Sequence, residues 1–159
     1  SHPREIAFFD RGPIDDSRLR SAGSWSIYWY NGVLVSSEIN RGLDIFELTP
    51  SAFLTQNEID AANTVKLEFL NAQEQPRFVW PPSFAMARAF VDQLERTNGL
   101  PAARVTAVRD ALASAEKASG SAKNEALTKL ASQLEGEAGS SSDAGRVRWL
   151  AKTARDLAK

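Results

Sequence analysis

The sequence predicts an α+β protein: an N-terminal antiparallel β-meander of about four strands over residues 1–82, then a small bundle of about four helices over residues 83–159. Three observations carry this expectation. Residues Trp25 to Leu48 read WSIYWYNGVLVSSEINRGLDIFEL, the most strand-like stretch in the chain. An Asn-Gly pair lies inside it, the strongest short hairpin signal a sequence offers. From Ser83 onward, apolar residues recur at helical spacing.

Arg4–Asp10 reads as a strand, the fourth member of the sheet. A chain that enters a strand so soon reads as continuing from something larger. Arg11–Arg20 is a polar connection with Gly-Pro punctuation, and Asp15-Asp16 is expected to cap a turn. In Trp25–Tyr30 aromatic and β-branched residues dominate, which suits a pleated, half-buried surface. Alternation puts Trp25, Ile27 and Trp29 on one face and Ser26, Tyr28 and Tyr30 on the other. Asn31-Gly32 turns the chain into Val33–Ile39, and Asn40-Arg41-Gly42 turns it again into Leu43–Leu48. Leu43 and Ile45 then share one face, and Asp44, Phe46 and Leu48 the other. Both faces of the sheet carry large apolar groups, so both need a cover.

Short helices are expected at 50–63. Thr49 is placed to cap one, with Pro50 at its first position. Thr55-Gln56-Asn57-Glu58 has capping-box form ahead of a second. Val65–Phe69 alternates with period two and reads as strand or extended chain. Arg77–Pro82 is apolar and proline-stopped, and is expected to run extended and seal the sheet against the helices. In the first bundle helix Ala87, Phe90, Val91 and Leu94 share a face, and Asn98-Gly99 ends it. Pro101 suits the first turn of the second helix, where Val105, Val108, Leu112 and Ala115 align and Gly120 stops the pattern. Leu127, Leu130 and Leu134 mark a third helix, ended by Gly136. Ser142 or Asp143 caps a fourth with Val147, Leu150, Ala151, Ala154 and Leu157 in line. Short loops between them imply antiparallel neighbours, and the stripes read as core rather than a ligand site.

Composition narrows the function. The chain has 159 residues and a net charge of −1, which speaks against a general nucleic-acid or membrane-surface binder. It has no cysteine, so it has no disulfide, thiolate metal site or cysteine nucleophile. No apolar run reaches the roughly 18 residues of a membrane span. No basic-then-apolar leader is visible, a segment that a mature exported protein lacks as well.

Candidate chemistry is sparse. His2 is the sole histidine and lies at the terminus, which leaves no material for a histidine triad or metal site. Glu38, Asp44 and Glu47 fall on adjacent strands, where carboxylates can serve acid–base work or calcium. Without an oxygen-rich ligand loop the plainer expectation is a Glu38–Arg41 ion pair, with Asp44 and Glu47 solvated. Catalytic, cofactor-binding and metal residues are therefore all expected to be none, and no cofactor is expected. The partner-binding candidates are Trp25, Tyr28, Trp29, Tyr30 and Arg41, since Trp and Tyr are enriched at binding hot spots. The competing expectation for these rings, Trp25 and Trp29 above all, is sheet core.

Three stretches carry a family resemblance. His2–Pro13 is similar to the inter-blade segment of LVIVD-repeat proteins. Trp25–Gly32 with Ser37–Phe46 resembles their last blade, and Gln75–Pro81 resembles the segment after it. Those proteins are bacterial, exported and thought to form β-propellers. The resemblance covers most of residues 2–95; the helical tail is similar to a module fused to exported bacterial proteins. It implies a propeller-like blade, an exported periplasmic or extracellular setting, and no reaction. One blade cannot close a propeller, so the chain is expected to be either part of a longer protein or a relative that reuses one blade. The expected function is a non-catalytic protein-interaction or scaffold module of an exported bacterial protein, such as an extrinsic subunit of a cell-envelope or membrane-associated complex. Its partner is another protein or the missing part of a longer chain. The alternative is a carbohydrate- or peptide-binding module using the Trp/Tyr-rich face.

Overall fold

The computed structural model describes residues 3–159, so His2 lies outside the described residues. The protein is α+β, with an N-terminal antiparallel meander followed by helices. Strands β1 (Ser24–Tyr30), β2 (Val33–Glu38) and β3 (Gly42–Phe46) form one sheet in the order β1-β2-β3. Helix α1 spans Gln56–Ala62, and α2 (Phe84–Arg96), α3 (Ala102–Lys117), α4 (Gly120–Glu137) and α5 (Ala144–Leu157) follow.

The meander forms because its turns have the right residues. Asn31 and Gly32 take φ of 51° and 100°, the two left-handed positions of a hairpin turn whose twist matches its strands. Gly32 is needed twice over, since a Cβ there would meet Asn63 Oδ1 at 2.7 Å. The expected fourth strand is absent: Arg4–Asp10 has no ladder partner and runs as exposed, irregular chain. Its apolar run reflects single contacts, such as Phe9 packed at a tilt, 4.7 Å from Phe46, rather than a pleat. Alternation also breaks at Trp25. A bulge between Ser24 and Ser26 shifts the register, so Trp25 is not locked to the face of Ile27 and Trp29.

Only one short helix forms in 50–63. Ser51 and Leu54 close a turn by exchanging backbone hydrogen bonds of 2.7 and 3.4 Å, so Thr49 and Pro50 open no helix. The second signal acts as expected: Thr55 Oγ1 accepts from the Glu58 N–H and Glu58 accepts from the Thr55 N–H, a complete capping box. Val65–Phe69 forms no strand and bends at Glu68, and Ala72–Glu74 makes a single tight helical turn.

The bundle core contains Val91, Leu94, Val105, Val108, Leu112, Leu127, Leu134, Val147 and Leu150, all but sealed from solvent. α2 ends in a Schellman motif. The Gly99 N–H donates to Leu94 O, the Asn98 N–H donates to Glu95 O, and Asn98 takes the left-handed φ of 52°. Gly99 is required by packing instead, because a Cβ there would lie 2.6 Å from Leu94 Cδ2. Pro101 caps α3 from just outside it. Gly120 begins α4, the pattern before it having ended at Lys117, and Gly136 lies inside α4, where exposed glycine is tolerated. Asp143, not Ser142, caps α5 by accepting from the Arg146 N–H.

A division at residue 82 would group α1 with the sheet, but α1 packs on α2. Ile59 and Ala61 are buried there, and Asp92 of α2 accepts from Thr55 Oγ1 and Asn57 Nδ2, each at 2.8 Å, and from Arg109 of α3 at 2.8 Å. Burial pushes the Asp92 carboxyl up, but the bonds from Asn57, Arg109 and Thr55 outweigh it and hold it below its ordinary value. Glu58 follows the same pattern: burial raises it, and bonds from Arg96, the Thr55 N–H and Gln93 prevail. Both folded values are depressed, so the stabilisation is complete above the ordinary values of 3.8 and 4.5 and is lost as pH falls below them. Asp92→Ala is expected to cost about 2 kcal/mol in urea unfolding at pH 7. That difference should shrink as pH falls below 3.8, as unfolding of both proteins across pH will show.

Candidate functional site

The ladder register sorts the sheet's side chains. Tyr28 pairs with Val35, which pairs with Ile45, and Ser37 pairs with Leu43. Tyr28, Val35, Leu43 and Ile45 therefore project from one face, with Tyr30 and Val33 at the hairpin end. Among the described residues this face is left open: Leu43 and Ile45 are each 62% exposed and Tyr28 is 43% exposed. An apolar row across three strands thus faces solvent at both ends, with Val35 half-buried between Tyr28 and Ile45.

The opposite face carries Ile27, Trp29, Leu34 and Phe46 and is partly covered. Phe9 lies on Phe46, and Trp29 meets Phe78 of the 77–82 segment at 5.7 Å. Between residues 7–12 and this face lies a cleft of about 540 Å³. Its polar groups are already used. Asp44 is buried and paired with Arg11, contrary to the expectation that it is solvated, because the Arg11–Gly12 loop folds over it. Glu47 is exposed as expected.

Glu38 also departs from the expected ion pair with Arg41. Its carboxylate accepts from the backbone N–H groups of Gly23 at 2.7 Å, Asn40 at 2.9 Å and Arg41. The Gly23 bond is the leading cause that holds this carboxyl below its ordinary range, with Asn40 and Arg41 adding to it. Glu38 is thus a staple that closes the β2–β3 turn against the start of β1. The Arg41 guanidinium turns elsewhere and donates to the carbonyls of Gly12 and Pro13. A carboxylate with three backbone donors in a turn is legible only once the turn is folded, which is why side-chain charge pairing was the natural expectation.

The partner-binding candidates divide into two groups. Tyr28 stands on the open face, and Trp25, 77% exposed, stands at the bulge. Trp29 is half-buried against Phe78, and the Tyr30 hydroxyl donates to Glu68 O at 3.0 Å and Leu67 O at 3.2 Å. Those two rings hold the fold together, and Arg41 secures a loop. The residues that reading by aromatic content missed are Leu43 and Ile45. Their period-two spacing on β3 was visible; that nothing covers them was not.

Among the described residues no cluster of three or more His, Asp or Glu side chains is placed to hold a metal, and no helix is long and apolar enough to cross a membrane. No family model, no curated protein and no solved structure matches this chain.

Glu38→Ala is expected to release the staple without disturbing the helices. Amide exchange at Gly23, Asn40 and Arg41 should accelerate at least about tenfold, with α2 to α5 unchanged, in hydrogen-exchange measurements by NMR.

Proposed function

We propose that this chain is a non-catalytic protein-docking module whose open sheet face is covered, in its working assembly, by another protein or by further residues of a longer chain. The observation that carries this reading is the Tyr28–Val35–Ile45 row with Leu43 beside it, in which Tyr28, Leu43 and Ile45 are exposed and Val35 is half-buried between its neighbours. Contiguous apolar surface of this kind marks interaction sites, because leaving it wet forfeits the burial that drives association. The bundle, with its own closed core, then acts as the spacer or attachment part. An exported setting, periplasmic or extracellular, and a place as extrinsic subunit of a cell-envelope or membrane-associated complex rest on the resemblance to LVIVD-repeat proteins. The alternative, a carbohydrate- or peptide-binding face, is left with Trp25 and Tyr28 as its free rings, since Trp29 and Tyr30 are engaged internally.

The test is the size of the native species by light scattering, with intact mass on the same sample, for protein isolated from its source. The wild-type chain is expected inside a larger complex, or within a longer parent chain. The double variant Tyr28→Asp/Ile45→Asp is expected to leave such a complex while keeping its helical circular dichroism. A free wild-type monomer of 17.4 kDa overturns the reading.

A further inference from the structure

A half-open hollow of about 770 Å³ lies between α1, α2, α5 and residues 79–82. This volume falls within the roughly 300–1,000 Å³ range of small-molecule sites. Small residues make its floor: Ala61 and Ala89 are buried, and Ala62 lies half-buried beside them. Its walls are Trp80, Met86, Phe90 and Trp149. These walls are braced by other rings. Phe90 and Trp149 lie 6.1 Å apart. Trp80 meets Phe78 edge-on at 6.3 Å, and Phe78 in turn lies 5.7 Å from Trp29 of β1. The aromatic surface is set in place by this packing, yet Trp149 is 58% exposed and Trp80 41%. A ligand in the hollow would cover both rings and gain the burial that the chain itself leaves unmade.

The charges at the hollow decide what kind of ligand it suits. Its charged lining is Glu58, Asp156 and Lys152, two carboxylates and one ammonium. Each is already answered within the protein. Glu58 pairs with Arg96 and accepts from Gln93 and the Thr55 N–H. Lys152 is paired with Asp156, to which Lys159 also reaches. The Thr153 hydroxyl donates to Trp149 O at 2.9 Å. An anion would enter beside a majority of carboxylates. A cation would have to draw Glu58 or Asp156 away from partners already in place. Either ion would also lose its hydration against apolar walls without a free counter-charge to replace it. An uncharged molecule meets none of these costs.

We propose that this hollow binds a small, uncharged, flat aromatic molecule, held against the alanine floor and the Trp80, Phe90 and Trp149 rings, and that it discriminates against charged relatives of the same shape. The site is independent of the open sheet face and does not rest on the docking reading.

Met86 is the sole methionine of the chain and lines the hollow, so a methyl-labelled methionine gives a single NMR signal that reports on this site. The probes share one ring system and differ in charge: 2-naphthalenemethanol, 2-naphthoate and 2-naphthylmethylammonium, each titrated into the 159-residue chain. The Met86 methyl signal is expected to shift saturably with 2-naphthalenemethanol, with both ions at least about threefold weaker. Ala62→Phe, at a half-buried position, should fill the hollow and abolish the shift. Trp149→Ala, at an exposed position, should weaken 2-naphthalenemethanol at least about threefold, and it tests the site even where Ala62→Phe fails to fold. A Met86 signal unmoved to about 2 mM 2-naphthalenemethanol overturns the proposal. So does equal or tighter binding of either ion, or unchanged affinity in Trp149→Ala. A signal that moves with protein concentration alone also overturns it, and would assign the hollow to a second copy of the chain.

Discussion

A three-stranded sheet with apolar side chains on both faces has more surface to hide than its own chain provides. That constraint organises the N-terminal half of this protein. Phe9, Arg11 and Phe78 partly cover the Trp29–Phe46 face, where Phe9 and Arg11 reach Phe46 and Asp44. On the other face the 67–68 segment meets Tyr30 at the hairpin end, and Tyr28, Leu43 and Ile45 stay exposed. The helices do not pack on this face, their buried stripes closing the bundle's own core.

Polar joints set the position of the sheet relative to the helices. Asn31, at the tip of the first hairpin, accepts from the Leu67 N–H at 2.7 Å and donates to Leu67 O at 2.9 Å, as a strand residue would with a partner strand. Residues 63–67 lead directly from α1, and α1 is bound to α2 and α3 through Thr55, Asn57, Asp92 and Arg109. Thr55 does two tasks with one hydroxyl: it caps α1 and donates to Asp92. The hairpin tip is thereby tied to the bundle through few groups, which leaves the broad surfaces of the sheet free of helices.

Much of this fold was legible in the sequence. Asn31-Gly32 specified its turn because few other pairs accept two left-handed residues, and the Thr55–Glu58 box marked the start of α1. The stripes Val105–Ala115 and Leu127–Leu134 named the core because helical periodicity and burial are the same fact. What was not legible depended on contacts distant in sequence. Arg4–Asp10 has strand composition but no partner strand, and composition cannot report a missing partner. Asp44 looked solvated until Arg11, 33 residues away, was brought to it. Glu38 looked like an ion-pair partner because backbone donors carry no sequence signature. For the candidate surface, the pattern identified Tyr28 by its ring, whereas the exposure of Leu43 and Ile45 followed only from the register and from what the rest of the chain covers.

Side-chain labelling of that face is the most direct trial of the central claim. Hydroxyl-radical footprinting would compare the isolated chain with the species isolated from its source. The account requires Tyr28, Leu43 and Ile45 to be labelled in the isolated chain and strongly protected in the native species, with Leu19 labelled in both as an exposed reference. Equal labelling of Tyr28, Leu43 and Ile45 in the two samples would contradict it, since the open face would then be a permanent surface with nothing to cover it.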